Sequence, residues 1–76
     1  MKEISVWPNP STDELHLQGI EARSYNLSIY DVSGKLVVEY SKLDDYTIDI
    51  SSFDSGLYIA AVSSQNFTAT FKWSKL

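Results

Sequence analysis

The 76-residue chain contains no cysteine, two prolines, three glycines and one histidine, and these scarcities exclude several classes of protein. Without cysteine there is no disulfide scaffold, and a single histidine leaves no ligand set for a zinc finger. No apolar run approaches the ~20 residues that a membrane-spanning helix needs, so we expect no membrane insertion. The formal net charge of −4 and the absence of a basic patch argue against nucleic-acid binding.

Apolar and aromatic residues are plentiful by contrast. They make up 43% and 13% of the chain, which is too apolar a composition for a disordered segment. The length suits one domain, residues 1–76, and a domain of this size buries only about 60% of its unfolded surface. We therefore expect both Trp7 and Trp73 to pack in the core, because a small fold without disulfides needs large side chains there.

The dominant pattern is alternation of apolar and polar residues, for example at residues 15–18, 46–50 and 67–73. Because successive side chains of a strand point to opposite faces, each run predicts a strand with one apolar face. No helical stripe of useful length is present, and residues 41–46 are interpreted as a loop or one turn. The predicted strands cover residues 3–7, 14–18, 25–31, 35–40, 46–50, 57–63 and 67–73.

Turn residues separate these runs at intervals of about 8–12 residues, the spacing typical of an all-β sandwich or barrel. Asp31 and Gly34 mark a tight hairpin turn, and Gly56 marks a second entry into a strand. The Pro-Asn-Pro segment at residues 8–10 is held extended and cannot lie in a central ladder. A sandwich is favoured, because so short a chain gives two small sheets around one shared core.

Candidate catalytic and metal-binding groups are sparse. His16 alternates with Leu15 and Leu17, so we expect it on a solvated or sheet-edge face, and no G-x-S-x-G nucleophile elbow accompanies it. The adjacent acids Asp44 and Asp45 lack the oxygen spacing of a calcium loop. We therefore predict that the protein is not an enzyme, that it uses no metal or cofactor, and that it is a compact β module that binds or is bound.

Four short motifs stand in order along the chain. They are Trp-Pro-Asn-Pro at residues 7–10, Ile-Tyr-Asp-Val-Ser-Gly-Lys at 29–35, Ile-Asp-Ile-Ser at 48–51 followed by Gly-Leu-Tyr at 56–58, and Phe-Lys-Trp-Ser-Lys-Leu at 71–76. In this order and spacing the chain resembles the type IX secretion system C-terminal sorting domain, type A, also called the Por secretion tail. Two departures are a tryptophan in place of the usual tyrosine of the first motif, and Trp-Ser in place of two apolar residues in the last.

The resemblance implies an Ig-like β-sandwich of about seven short, mostly antiparallel strands that acts as a non-enzymatic secretion signal. The domain would form the C-terminal end of a larger protein of the Bacteroidota, exported through the periplasm to the cell surface or the medium. Implied partners are the type IX outer-membrane translocon and a sortase-like protease that removes the domain. The alternative hypothesis is an Ig-like binding or adhesion module of a cell-surface protein. We also expect an edge strand on which two isolated domains can pair.

The resemblance also assigns roles to individual residues. The signal read by the translocon is expected in the C-terminal strand, at Lys72, Trp73, Ser74, Lys75 and Leu76. The other family-motif residues are expected to be mainly structural: Pro8, Asn9, Pro10, Asp31, Gly34, Lys35, Gly56 and Tyr58. No catalytic residue, metal ligand or cofactor is implied.

Overall fold

The chain forms two packed antiparallel sheets. The computed structural model describes residues 4–8, 10–20, 23–65 and 67–76, and within them it contains seven strands and no helix. The strands are β1 (Ser5–Trp7), β2 (Glu14–Gln18), β3 (Tyr25–Asp31), β4 (Leu36–Leu43), β5 (Thr47–Asp49), β6 (Gly56–Ser63) and β7 (Thr68–Lys75). One sheet has the order β1-β2-β5 and the other β4-β3-β6-β7. The prediction of an all-β sandwich of about seven strands is confirmed.

The core lies between the two sheets and is built from alternate residues of the strands. Leu15 and Leu17 of β2 face Leu27 and Ile29 of β3 across it. This inward set follows the alternation read from the sequence, because only one face of each strand can be buried. The buried apolar side chains are Leu15, Leu17, Tyr25, Leu27, Ile29, Ile48, Ile50, Tyr58, Ala60, Val62 and Trp73.

The fourth strand is longer than predicted, and the loop expected at residues 41–46 is strand up to Leu43. The register between β3 and β4 shifts here, and Lys42 adopts a positive φ of 53°. The side-chain oxygen of Asn26 accepts a hydrogen bond from the Lys42 N–H at 3.1 Å. Pairing then resumes between Tyr25 and Leu43. The Asn26 side chain thus supplies a hydrogen bond where the backbone pairing of β3 and β4 is interrupted. The alternation of apolar and polar residues does not reveal this bond.

The two tryptophans have different environments. Trp73 is 1% exposed, as predicted, whereas Trp7 is 49% exposed, so the prediction that Trp7 packs in the core is wrong. The cause is strand parity: Val6 pairs with Leu17 and packs against the core. Trp7 follows Val6 directly and therefore lies on the outer face of the sheet, opposite His16.

Candidate recognition surface

The terminal motif lies on β7, an edge strand of the four-stranded sheet. Trp73 points into the core, whereas Lys72 is exposed on the outer face of the same strand. Lys75 is half-buried, and its Nζ donates to the carbonyl of Leu76 at 2.9 Å. The odd offset between the two lysines places them on opposite faces of the strand, as their spacing predicts.

Ser11 joins the opening segment of the chain to the end of β7. Its N–H donates to the carbonyl of Ser74 at 2.8 Å, and its own carbonyl accepts the N–H of Leu76 at 2.8 Å. These bonds form a parallel bridge opposite Lys75, and Ser11 is completely buried. The residue that follows the first motif therefore contacts the last motif, at the opposite end of the sequence. Periodicity does not reveal this contact, since one bridge forms no repeating pattern.

The proline segment supports this bridge from the N-terminal side. Trp7-Pro8 is a cis peptide bond, and Ser11 Oγ donates to the carbonyl of Pro8. Pro8 and Pro10 are both exposed. Asn9, the remaining family-motif residue here, lies outside the described residues. The hydrogen bond from Ser11 Oγ links Pro8 to the residue that bridges to β7.

Trp73 of β7 packs against the aromatic rings of Phe53 and Tyr58 and so attaches this strand to the sandwich. The ring centroids of Tyr58 and Trp73 are 4.9 Å apart, and that of Phe53 lies 5.3 Å from Tyr58 and 5.9 Å from Trp73. The rings are stacked or tilted, arrangements that aromatic pairs favour. Trp73, which was expected among the signal residues, therefore packs its side chain in the core.

The start of β6 holds the two residues of the Gly-x-Tyr motif. Gly56 pairs with Lys75 and has a φ of +150°, a conformation that side-chain-bearing residues rarely adopt. The Tyr58 hydroxyl donates to the carbonyl of Asp54 at 2.7 Å. This geometry, a tyrosine at the start of a strand bonded to the backbone a few residues upstream, is the tyrosine corner of Ig-like sandwiches.

The β3–β4 hairpin turn is built around Asp31. The Gly34 N–H donates to the Asp31 carbonyl at 3.0 Å, and Gly34 has a φ of +90°. The carboxylate Oδ1 accepts bonds from Ser33 Oγ at 2.6 Å, the Ser33 N–H at 2.9 Å and the Lys35 N–H at 3.0 Å. The bond from the Ser33 hydroxyl, followed by that from the Lys35 N–H, lowers the pKa of Asp31. The predicted hairpin turn is confirmed.

A shallow apolar hollow of about 240 Å³ lies beside Lys72 on the outer face of the larger sheet. It is lined by Val32, Leu57, Tyr58, Ile59 and Lys72. Val32 and Leu57 are 69% and 56% exposed. Among the described residues, no carboxylate lies within salt-bridge distance of the Lys72 ammonium group. The terminal motif therefore presents a cation next to exposed apolar surface.

A second aromatic feature lies on the outer face of the three-stranded sheet. The rings of Trp7 and His16 stack with centroids 4.3 Å apart. His16 Nδ1 lies 3.0 Å from the Thr47 hydroxyl, and its Nε2 lies 3.7 Å from a Glu14 carboxylate oxygen. His16 occupies the central strand of this sheet and faces outward, which matches the expected solvated face.

Neither a metal centre nor a spanning helix is found in the described part of the chain. In residues 4–8, 10–20, 23–65 and 67–76, no three acidic or histidine side chains are placed to hold a metal ion. Over the same residues, the structure has no helix of the length and apolarity that crossing a membrane requires. The acids Asp44 and Asp45 are exposed and lie between β4 and β5.

The strand order defines the class of protein. The sheets β1-β2-β5 and β4-β3-β6-β7 correspond to strands A-B-E and C′-C-F-G of an immunoglobulin-type sandwich, and Tyr58 supplies its tyrosine corner. The molecule is thus an Ig-like β-sandwich whose C-terminal strand carries an exposed lysine beside apolar surface.

Comparison with known families then assigns the chain. Residues 5–75 match the family model described as the secretion system C-terminal sorting domain, and the chain belongs to that family. The resemblance to the type IX sorting domain is confirmed. A domain of this kind is a C-terminal sorting signal that interacts with the type IX secretion system, so the protein that carries it is exported to the cell surface or secreted. No curated protein shows a significant match to the chain.

Proposed function

We propose that the chain is a non-enzymatic signal that directs its parent protein through the outer-membrane translocon of the type IX secretion system. The observation that supports this is how β7 is held. Trp73 is fixed in the core, whereas Lys72 and Leu76 of the same terminal motif are exposed. A receptor can therefore bind these side chains while the domain stays folded. Such a signal acts by being bound and needs no reacting group.

In this function the family-motif residues fall into two groups. Lys72 and Leu76 contact the receptor directly, together with the outer-face side chain of Ser74. Trp73 and Lys75 hold the strand in place. The supporting structural residues are Pro8, Pro10, Asp31, Gly34, Lys35, Gly56 and Tyr58, and the same role is proposed for Asn9 by its place in the motif.

We further propose a route and a fate for the domain. Residues 1–76 are the C-terminal domain of a larger protein of the Bacteroidota, which crosses the inner membrane and reaches the translocon from the periplasm. A sortase-like protease then cleaves the chain ahead of the sandwich and frees the cargo. Cleavage upstream of a closed sandwich fits the fold, because a linker outside the sheets is accessible without unfolding.

A reporter fusion tests the proposed function. Residues 1–76 are fused behind a periplasmic reporter in a host with a working type IX system, and reporter activity is measured in periplasm, surface and medium. We expect the reporter to leave the periplasm, and to stay there in a strain without the translocon. A wild-type fusion that remains periplasmic in the competent host would show that the proposed function is wrong.

Point variants locate the signal better than truncation. Deleting residues 72–76 also removes Trp73 from the core, so loss of export would report unfolding as well as loss of the signal. Lys72→Gln changes only an exposed side chain, and Lys42→Gln on β4 is the matched control because it is also an exposed lysine. We expect at least tenfold lower export for Lys72→Gln and unchanged export for Lys42→Gln. Equal export of both would exclude Lys72 from the signal.

Mass spectrometry of the exported fusion tests cleavage. The cargo is expected to lose the mass of the whole sandwich, and to keep it in a strain that lacks the sortase-like protease. An exported cargo that retains residues 1–76 in the competent host would contradict the proposed removal while leaving the sorting role intact.

The exposure of Trp7 favours a second candidate function, an Ig-like module that binds saccharides at a cell surface. Its ring is 49% exposed and stacked on His16, and flat aromatic rings with nearby polar groups are suited to contacts with sugar rings. Glu14 and Thr47 lie beside His16 and offer hydrogen-bonding groups. Trp7 and His16 therefore form a flat aromatic surface, flanked by polar groups, on the outer face of the three-stranded sheet.

Glycan-array binding followed by titration tests this second candidate. Wild-type binding that falls at least tenfold in Trp7→Ala, but persists in Lys72→Gln, would support a saccharide module. The absence of any bound glycan for the wild-type domain would remove this candidate and leave the sorting role unaffected.

A further inference from the structure

The outer edge of β7 is open along most of its length. β7 is the last strand in the order β4-β3-β6-β7, so one side pairs with β6 and the other has no partner strand among the described residues. Ser11 bridges the end of this edge, at Ser74 and Leu76, and β1 approaches β7 without pairing to it. The open part extends from Thr68 to Lys72, a span of roughly 15 Å at 3.3 Å per residue.

The bonds of Ser11 identify which backbone groups point to this edge. The Ser74 carbonyl and the Leu76 N–H both point away from β6, toward Ser11. Since residues of a strand alternate between the two sides, the N–H and C=O groups of Thr68, Thr70 and Lys72 point the same way. The Ser64 N–H donates to the Phe67 carbonyl at 2.9 Å, so the backbone groups of the odd-numbered residues of β7 point toward β6. This agrees with the outward direction of the even-numbered ones.

The other sheet edges are protected in ways that this one is not. The edge strands β1 and β5 have three residues each, and β1 leads directly into Pro8. On the other long edge strand, β4, the pairing with β3 is interrupted by register shifts and by the positive φ of Lys42. β7 has eight residues in unbroken register with β6 and contains no proline. Natural proteins usually block such an edge with prolines, bulges or charges, and the open stretch of β7 carries a single charge, that of Lys72.

We propose that the edge of β7 from Thr68 to Lys72 docks an extended segment of a protein of the secretion machinery, which adds to the sheet as a fifth strand. The inference rests on the proposed sorting function and names the chemistry of its partner. Backbone hydrogen bonds to Thr68, Thr70 and Lys72 supply the binding, as in other cases of strand addition. A carboxylate on the added segment faces Lys72, which has no ion-pair partner among the described residues.

A proline at position 70 blocks this edge selectively. The Thr70 N–H points to the open side, so Thr70→Pro removes a donor that no bond to β6 uses, and proline is tolerated on edge strands in this orientation. Thr70→Val keeps the N–H and the branched shape and is the matched control. Far-UV circular dichroism and urea titration establish that both variants are folded before export is measured.

The expected result is at least tenfold lower export of the reporter for Thr70→Pro and wild-type export for Thr70→Val. If Thr70→Pro is folded and exported like the wild type, the edge is not the docking site and the inference is wrong, although the sorting function stands. If the wild-type fusion is not exported, the sorting function itself fails, and the inference fails with it.

Charge reversal gives a second test that does not depend on the fold of the proline variant. Lys72→Glu places a carboxylate against the proposed carboxylate of the partner, and Lys42→Glu repeats the charge change on β4. We expect export to fall at least tenfold for Lys72→Glu only, and equal export of both variants would overturn the proposed ion pair. Sedimentation of the isolated domain completes the test. A wild-type dimer that becomes monomeric in Thr70→Pro would identify a second copy of the chain as the occupant and refute a partner segment.

Discussion

Substitution of Trp73 separates the contribution of β7 to folding from its contribution to recognition. The ring is 1% exposed and stacks 4.9 Å from Tyr58, with Phe53 at 5.9 Å. Its indole Nε1 is buried and has no hydrogen-bond partner among the described residues. Trp73→Phe therefore keeps an aromatic ring in the cluster and breaks no bond, whereas Trp73→Ala empties the site.

The magnitudes differ enough to be measured. At roughly 0.05–0.15 kcal/mol per residue, 76 residues give a free energy of unfolding of about 4–11 kcal/mol. Truncating a buried Trp or Phe to Ala costs about 3–5 kcal/mol, so Trp73→Ala removes a large part or all of the stability. Trp73→Phe loses only one ring of the indole, and we expect a cost of about 1–2 kcal/mol.

Urea titration followed by far-UV circular dichroism measures these losses. With an m value of about 1 kcal/mol per molar urea, the midpoint should fall by about 3–5 M for Trp73→Ala and by about 1–2 M for Trp73→Phe. Export of reporter fusions should follow, near wild type for Phe and largely lost for Ala. A loss below about 1.5 kcal/mol for Trp73→Ala, or equal losses for both variants, would refute Trp73 as the anchor of β7.

Three further predictions use the same titration. Gly34→Ala should lower the free energy of unfolding by about 1 kcal/mol, because alanine disfavours a φ of +90°. An added Cβ meets no atom within 4 Å, so a loss above about 3 kcal/mol would contradict a purely backbone cause. Asp31→Asn should flatten the acid dependence of stability. The Ser33 hydroxyl lowers the pKa of Asp31 in the folded protein. The Asp31 carboxylate therefore stabilises the fold fully above its unfolded-state pKa of about 3.9, and this stabilisation is lost as the pH falls through the lower folded-state pKa. Equal slopes of the midpoint against pH would refute this. Tyr58→Phe should cost about 1 kcal/mol by removing the bond to the Asp54 carbonyl, and an unchanged midpoint would show that this bond contributes nothing.

The strands were predictable because most of them have one buried face. β2 and β3 occupy residues 14–18 and 25–31, as the alternation predicts. The predicted strand at residues 46–50 is shorter, but backbone bonds from Leu17 to Tyr46 and from Ile50 to Asp13 continue its pairing at both ends. The hairpin at Asp31 was predictable because its bonds are local in sequence.

The candidate site was predictable only in part. The terminal motif located the C-terminal strand, but it did not separate Trp73, which packs in the core, from Lys72, which is exposed. The expectation for Trp7 failed because composition shows the need for large core residues without showing which face of a short edge strand each one takes. The extension of β4 depended on a side-chain bond from Asn26, which alternation does not encode.

Four features are predictable from the amino-acid sequence alone: the number of strands, the inward face of most of them, the turn at Asp31 and the family. The first three follow from alternation and from bonds between near neighbours in the chain, and the family follows from the four short motifs in their order. Two further features depend on the tertiary structure: Ser11 bridges to the end of β7, and the edge from Thr68 to Lys72 has no partner strand among the described residues. The order of strands in a sheet depends on contacts between segments that are distant in sequence. A single bridge or an unpaired edge does not change the alternation of apolar and polar residues, so the sequence pattern does not predict it.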